Sequence, residues 1–165
     1  MDQGAAVATG LFAWLESGAV GQAMRQSVLL YPAVEILHIL GFAILVGAIV
    51  TFDLRVLGFG RGIPLGAAAR HCLPIAVAGF ALAAPMGLLL FATEATSISK
   101  NPAFLVKMAL IVLAGLNMTM FHLGPWRRMA RWADGPAPAA ARTGAVLSAG
   151  LWIGVLACGR LIAYF

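Results

Sequence analysis

Four apolar runs, at residues 31–52, 72–92, 103–123 and 144–163, dominate this chain of 165 residues. Each is close to the ~20 residues that carry an α-helix across ~30 Å of hydrocarbon. Lipid offers no hydrogen bonds, so each run must satisfy its own backbone, and an α-helix does so within one segment. The balance of residue types agrees. Hydrophobic residues make up 62% of the chain and charged ones 10%, where soluble domains carry about 25% charged. A soluble fold of this size has no interior large enough for so much apolar surface. The chain reads as an all-α, integral membrane four-helix bundle over residues 31–165, preceded by a segment, 1–30, that reads as a surface helix.

The punctuation of the runs supports this. Pro32 and Pro102 stand where a first helical turn begins, and Asn101 is placed to cap the helix before Pro102. Pro74 and Pro85 fall inside the second run and predict kinks there. The connections "DLRVLGFGRGIPLGAAAR" and "GPWRRMARWADGPAPAAAR" hold most of the arginines, whereas "TEATSISKNP" is nearly neutral. The positive-inside rule then places both arginine-bearing loops of this multi-pass chain in the cytoplasm and both termini outside, which is the periplasm if the membrane is the inner membrane of a Gram-negative bacterium. The net charge of +5 is accounted for by these topogenic arginines. No aromatic-basic stripe points to nucleic acid. The stretch "LFAWLESGAVGQAMRQSVLL" reads as a helix on the outer surface, with Leu11, Phe12 and Leu15 dipping into lipid; a fifth span is the alternative. The start "MDQGAAVATG" lacks the positive n-region of a signal peptide. Cys72 and Cys158 fall at opposite faces, so no disulfide is expected between them. Small residues recur every four positions, at Gly79, Ala83 and Gly87 and again at Gly150, Gly154 and Cys158, which predicts close helix packing.

Ionisable residues inside such runs are costly, and by default they face the bundle and serve a function. "YPAVEILHIL" places Glu35 and His38 on one helix face. His38 lies ~10 Å below the outer end of its span, and Lys107 and Met108 lie ~8–9 Å deep from the same side. Met86 falls at a similar level, and Arg160 sits near the outer end of the last run. Glu35, His38, Lys107 and Arg160 thus form a candidate outer polar cluster, with Met86 and Met108 beside it. The inner end has His71, His122, Asp53 and several arginines. His38 and His122 are ~20 Å apart along the membrane normal and belong to separate sites, whereas His71 and His122 share a level. Plainer readings stand beside these. The outer charges also fit an ion-pair network that fixes packing, with Lys107 and Arg160 snorkelling outward. Methionines are commonly gap-fillers. His71 fits an interfacial position, His122 a helix end, and Asp53 an ion pair with Arg55 or Arg70. The sequence holds no nucleophile–base arrangement, phosphate-binding glycine loop or CxxC, so independent catalysis is not expected.

The strings "YPAVEILHILGFAILVGAIVTFDLRVLG", "NPAFLVKMALIVLAGLNMTMFHLGPWRRMARW" and "GRLIAYF" carry a resemblance. Through Glu35, His38, Asp53 with Arg55, Lys107, His122 and Gly159–Arg160, the chain resembles an uncharacterised family of small bacterial four-helix integral membrane proteins. More distantly, "LHILGFAILVG" is similar to the membrane domains of copper-resistance D proteins and of b-type cytochromes. That similarity implies a histidine-bearing bundle handling haem or copper.

Two cofactor readings follow. In the first, a haem-b electron-transfer protein uses His71 with His122 at an inner site and His38 with Met86 or Met108 at an outer one. Lys107 and Arg160 neutralise propionates, and the partner is a quinol or a periplasmic redox protein. In the second, a copper transporter or permease uses His38, Met86 and Met108 as a soft ligand set, with Glu35 orienting His38, and meets a periplasmic metal-binding protein. A non-catalytic membrane subunit, a homo-oligomer among its forms, is the third reading.

Overall fold

The computed structural model describes residues 2–133 and 135–165, and these residues are helical almost throughout. The elements are α1 (Asp2–Ser17), α2 (Ala19–Gln26), α3 (Leu30–Leu57), α4 (Leu65–Thr93), α5 (Ala95–Ile98), α6 (Pro102–Leu123) and α7 (Ala139–Leu161), with 3-10 turns at Pro125–Arg131 and Ile162–Tyr164. α3, α4, the stretch from α6 through its 3-10 turn, and α7 with its own turn are each long and apolar enough to cross a membrane.

Local chemistry sets most of the boundaries. Asn101 Oδ1 accepts hydrogen bonds from the N–H groups of Ala103 (3.0 Å) and Phe104 (3.2 Å), and Pro102 fills the first helical position. α3 stops where Gly58 takes a φ of 106°, a left-handed conformation open to a residue without Cβ. The N–H groups of Gly58 and Phe59 then turn back to the carbonyls of Arg55 and Leu54. Both helices of this pair extend further than their apolar runs. α3 continues past residue 52 to Leu57, and α4 begins at Leu65 instead of 72. Asp53, Arg55 and Arg70 therefore sit on helical turns and not in a loop. Asp53 is buried against the bundle, and nothing breaks the helix before Gly58 or after Pro64. α4 runs unbroken through Pro74 and Pro85, each of which removes one N–H from the ladder.

Small residues let the spans approach closely. On the α3–α4 seam, a Cβ added at Gly41 would stand 2.7 Å from Ala83 N, and one added at Gly79 would stand 2.5 Å from Leu45 N. Backbone therefore meets backbone there, as the four-residue stripe predicts. α6 pairs with α7, where Gly154 accepts the end of Leu110 and Asn117 Nδ2 donates to Gly144 O at 2.9 Å. Phe42 of α3 meets Trp152 of α7, with ring centroids 6.2 Å apart. At the arginine-bearing end Phe52 packs edge-on against Phe121 and Trp126, over Leu65, Ala69, Cys72 and Ala141. Outward-facing side chains are apolar: Val77, Leu88 and Met120 are 68%, 69% and 72% exposed. A surface of this kind is stable against a lipid bilayer and not against water.

The segment before α3 forms two helices where the sequence reading had one, broken at Gly18. It is fastened over the end of the bundle where α4 finishes. Arg25 donates to Thr93 O (2.8 Å) and to Glu16 O (2.7 Å), and Thr96 N–H donates to Glu16 Oε2 (3.1 Å). These donors, with Arg25 nearby, hold the Glu16 carboxyl below its ordinary pKa. Phe12 turns to Phe91, which in turn stacks on Phe104 at 5.2 Å, so Phe12 packs on protein. Met24 is 2% exposed beneath this cap.

Candidate functional site

His38 sits on the buried stripe of α3, four residues after Val34 and three before Gly41. That register turns its ring toward the Gly79–Ala83–Gly87 stripe of α4. Its Nδ1 lies 2.8 Å from Ala83 O. A carbonyl only accepts, so Nδ1 carries the proton and donates. In the neutral ring Nε2 is then left with a free lone pair. The ring fits because position 87 is glycine: a Cβ there would lie 2.8 Å from His38 Cε1 and 3.2 Å from Nδ1. α4 thus supplies both the acceptor that orients the imidazole and the notch that receives it.

Two charged side chains are within electrostatic reach of this ring, Lys107 and Glu35. Glu35 is exposed on α3, while Lys107 is half-buried on α6 with its ammonium beside Gly159 of α7. Helices α3, α4, α6 and α7 thus all contribute at this level. Arg160 is directed elsewhere. It is exposed, donates to Tyr164 Oη at 3.0 Å and lies 5.2 Å from the centroid of that ring. Met86 is half-buried on the same turn of α4 as Gly87, and Met108 is 42% exposed on α6.

The histidines at the arginine-bearing end have different surroundings. His122 Nδ1 lies 2.8 Å from Met118 O of its own helix, so this ring too donates to a carbonyl. It packs against Phe121 and Trp126. His71 is exposed on α4. Among the described residues, no three His, Cys, Asp or Glu side chains come together to hold a metal ion. Cys72 and Cys158 are free thiols.

Asp53 departs from the ion pair that the sequence suggests. Arg55 swings to the loop and donates Nε to Ile63 O at 2.6 Å, and Arg70 is exposed. Asp53 is 6% exposed, with Ser148 of α7 as its hydroxyl neighbour and, among the described residues, no hydrogen-bond partner for Oδ2. The arginines are drawn to the loop and the interface, where long cationic side chains keep their heads in water.

Sequence reasoning passed over three contributors: Ala83 through its carbonyl, Gly87 as a ring-sized notch, and Ser148. The glycine stripe was visible as packing. The alignment of His38 with it depends on the relative heights of α3 and α4, which one helix's residue order does not encode. The chain matches no known family model, no curated protein and no solved structure.

Proposed function

We propose that this is a haem-b-binding electron-transfer protein of the bacterial inner membrane, with both termini and the α1–α2 cap on the outer side. The observation that carries the reading is the bond from His38 Nδ1–H to Ala83 O at 2.8 Å. A ligating imidazole commonly has one nitrogen fixed by an acceptor such as a carbonyl and the other neutral and free. The charge beside it selects among ligands. Lys107 stands half-buried on α6 with its ammonium beside Gly159 of α7. It suits the propionates of haem and disfavours a bare metal cation. Bound there, haem would supply one-electron chemistry, and its apolar surroundings would tune its potential. His38 would hold it, Gly87 would leave room for the imidazole, Lys107 would neutralise its acid groups, and Met86, on the same turn of α4 as Gly87, would be a second donor. A quinol or an outer redox protein is the corresponding partner.

One observation favours the copper reading. Met86 and the His38 notch share a turn of α4, which brings soft sulfur and imidazole donors to one level. The two readings separate on purified, detergent-solubilised protein. Haem b is expected at one per chain by pyridine haemochrome assay, with no stoichiometric copper by elemental analysis. One copper per chain without haem would replace the first reading by the second. Absence of both would leave a membrane subunit whose polar cluster serves assembly.

A further inference from the structure

Asp53 plays no part in the site at His38. It stands one helical turn before the end of α3, so ~6 Å of helix separates it from the arginine-bearing end. Its carboxyl is buried at 6% exposure, and Oδ2 meets no donor. Ser148 has a single O–H and serves one carboxyl oxygen at most. Asn117 of α6 has its Nδ2 committed to Gly144 O, one turn from Ser148 on α7.

The elements packed around this position carry His71 and Cys72 on α4, His122 on α6, Arg142 on α7 and Arg55 on α3 itself. Arg55 is turned away to Ile63 O, and among the described residues none of these groups hydrogen-bonds Oδ2 of Asp53. A carboxylate held so, without a counter-charge, costs several kcal/mol. Its stable states are those in which a cation joins it. Its one negative charge is matched by a monovalent cation, whereas a divalent ion would leave an uncompensated positive charge in the bundle.

We propose that Asp53, with Ser148, is an intramembrane binding site for an exchangeable monovalent cation, first of all a proton, that reaches it from the arginine-bearing side. Proton and sodium ion share the chemistry of neutralising this carboxylate.

The test is labelling of the intact, purified protein in lipid vesicles with dicyclohexylcarbodiimide, an apolar reagent that enters membranes. The carboxylic O–H adds across one C=N bond, the proton going to nitrogen and the carboxyl oxygen to the central carbon. The O-acylisourea then rearranges to a stable N-acylurea with no leaving group. Peptide mass mapping is expected to place one reagent mass on Asp53. On the alkaline side, labelling should fall about tenfold per pH unit, as the protonated fraction does. Asp53→Asn should remove the adduct, and Ser148→Ala should shift the pH profile while keeping the adduct. Protection by sodium at fixed pH would identify the metal ion as a competing occupant, and no protection would leave the proton alone; each supports a monovalent-cation site. Absence of label on Asp53 of folded wild-type protein at every pH would overturn the proposal. So would labelling that does not vary with pH, since that group would be permanently protonated and would exchange nothing.

Discussion

Gly87→Ala puts the largest strain on the site for the smallest change in mass. The added Cβ would lie 2.8 Å from His38 Cε1 and 3.2 Å from Nδ1, where carbon atoms settle at about 3.5–4.0 Å. The ring would have to retreat by about 1 Å. It is tied to Ala83 O at 2.8 Å, and such a retreat carries that contact beyond hydrogen-bonding distance. Overpacking costs about 1–3 kcal/mol, and the lost bond about 0.5–1.5 kcal/mol. The sum, about 1.5–4.5 kcal/mol, lowers the population of the present ring position about 10- to 2000-fold. Two readouts follow on purified protein: haem per chain, and the nitrogen-15 shifts of His38, which distinguish Nδ1–H from Nε2–H. Gly87→Ala is expected to keep its helical circular dichroism, lose the Nδ1–H signature and lose haem. Gly115→Ala and Gly150→Ala, where nothing lies within 4 Å of the new Cβ, are expected to change neither. A Gly87→Ala protein with the wild-type tautomer and full haem content would refute the notch.

Other outcomes test the frame around the site. Gly79→Val should separate α3 from α4, because even a Cβ at that position meets Leu45 N at 2.5 Å; a lower unfolding temperature in detergent is expected, and an unchanged one would contradict the close approach. Asn101→Ala removes a helix cap, about 1 kcal/mol, and also a bond from Nδ2 to Ile162 O, so it should destabilise more than a cap alone. For Glu16 the folded pKa is lowered by Thr96 and Arg25. The contribution of this cap contact is therefore complete above the ordinary carboxylate value of about 4.3 and is lost as pH falls through the lower folded value. The Thr96 amide shift should titrate below that ordinary value and stay flat in Glu16→Gln; a midpoint at or above it would be inconsistent with the contact.

The membrane spans were legible because hydrocarbon thickness dictates run length. Their ends at the arginine-bearing loops were not. "FDLRVLG" reads as a charged loop, yet the helix continues until Gly58 provides a left-handed turn. The Asn101–Pro102 signal gave the start of α6 correctly, since a cap depends on adjacent residues alone. At the site, helical rise sets the depth of His38 and of Lys107 within their own helices. It could not reveal that Arg160 turns along its own helix to Tyr164, because a long side chain chooses among partners by rotamer and not by register. Asp53 shows the same limit from the other side. Nearby arginines suggest a pair, but the pair would require drawing guanidinium into the bundle, and Arg55 finds Ile63 O at the surface instead.

The central claim is that His38 offers a free Nε2 to haem in the cap-side half of the membrane. Reduced-minus-oxidised spectra of the purified wild type, His38→Ala, His71→Ala and His122→Ala proteins test it most directly. The account predicts haem-b bands that vanish in His38→Ala alone. Bands that survive in His38→Ala and disappear in His122→Ala would contradict it.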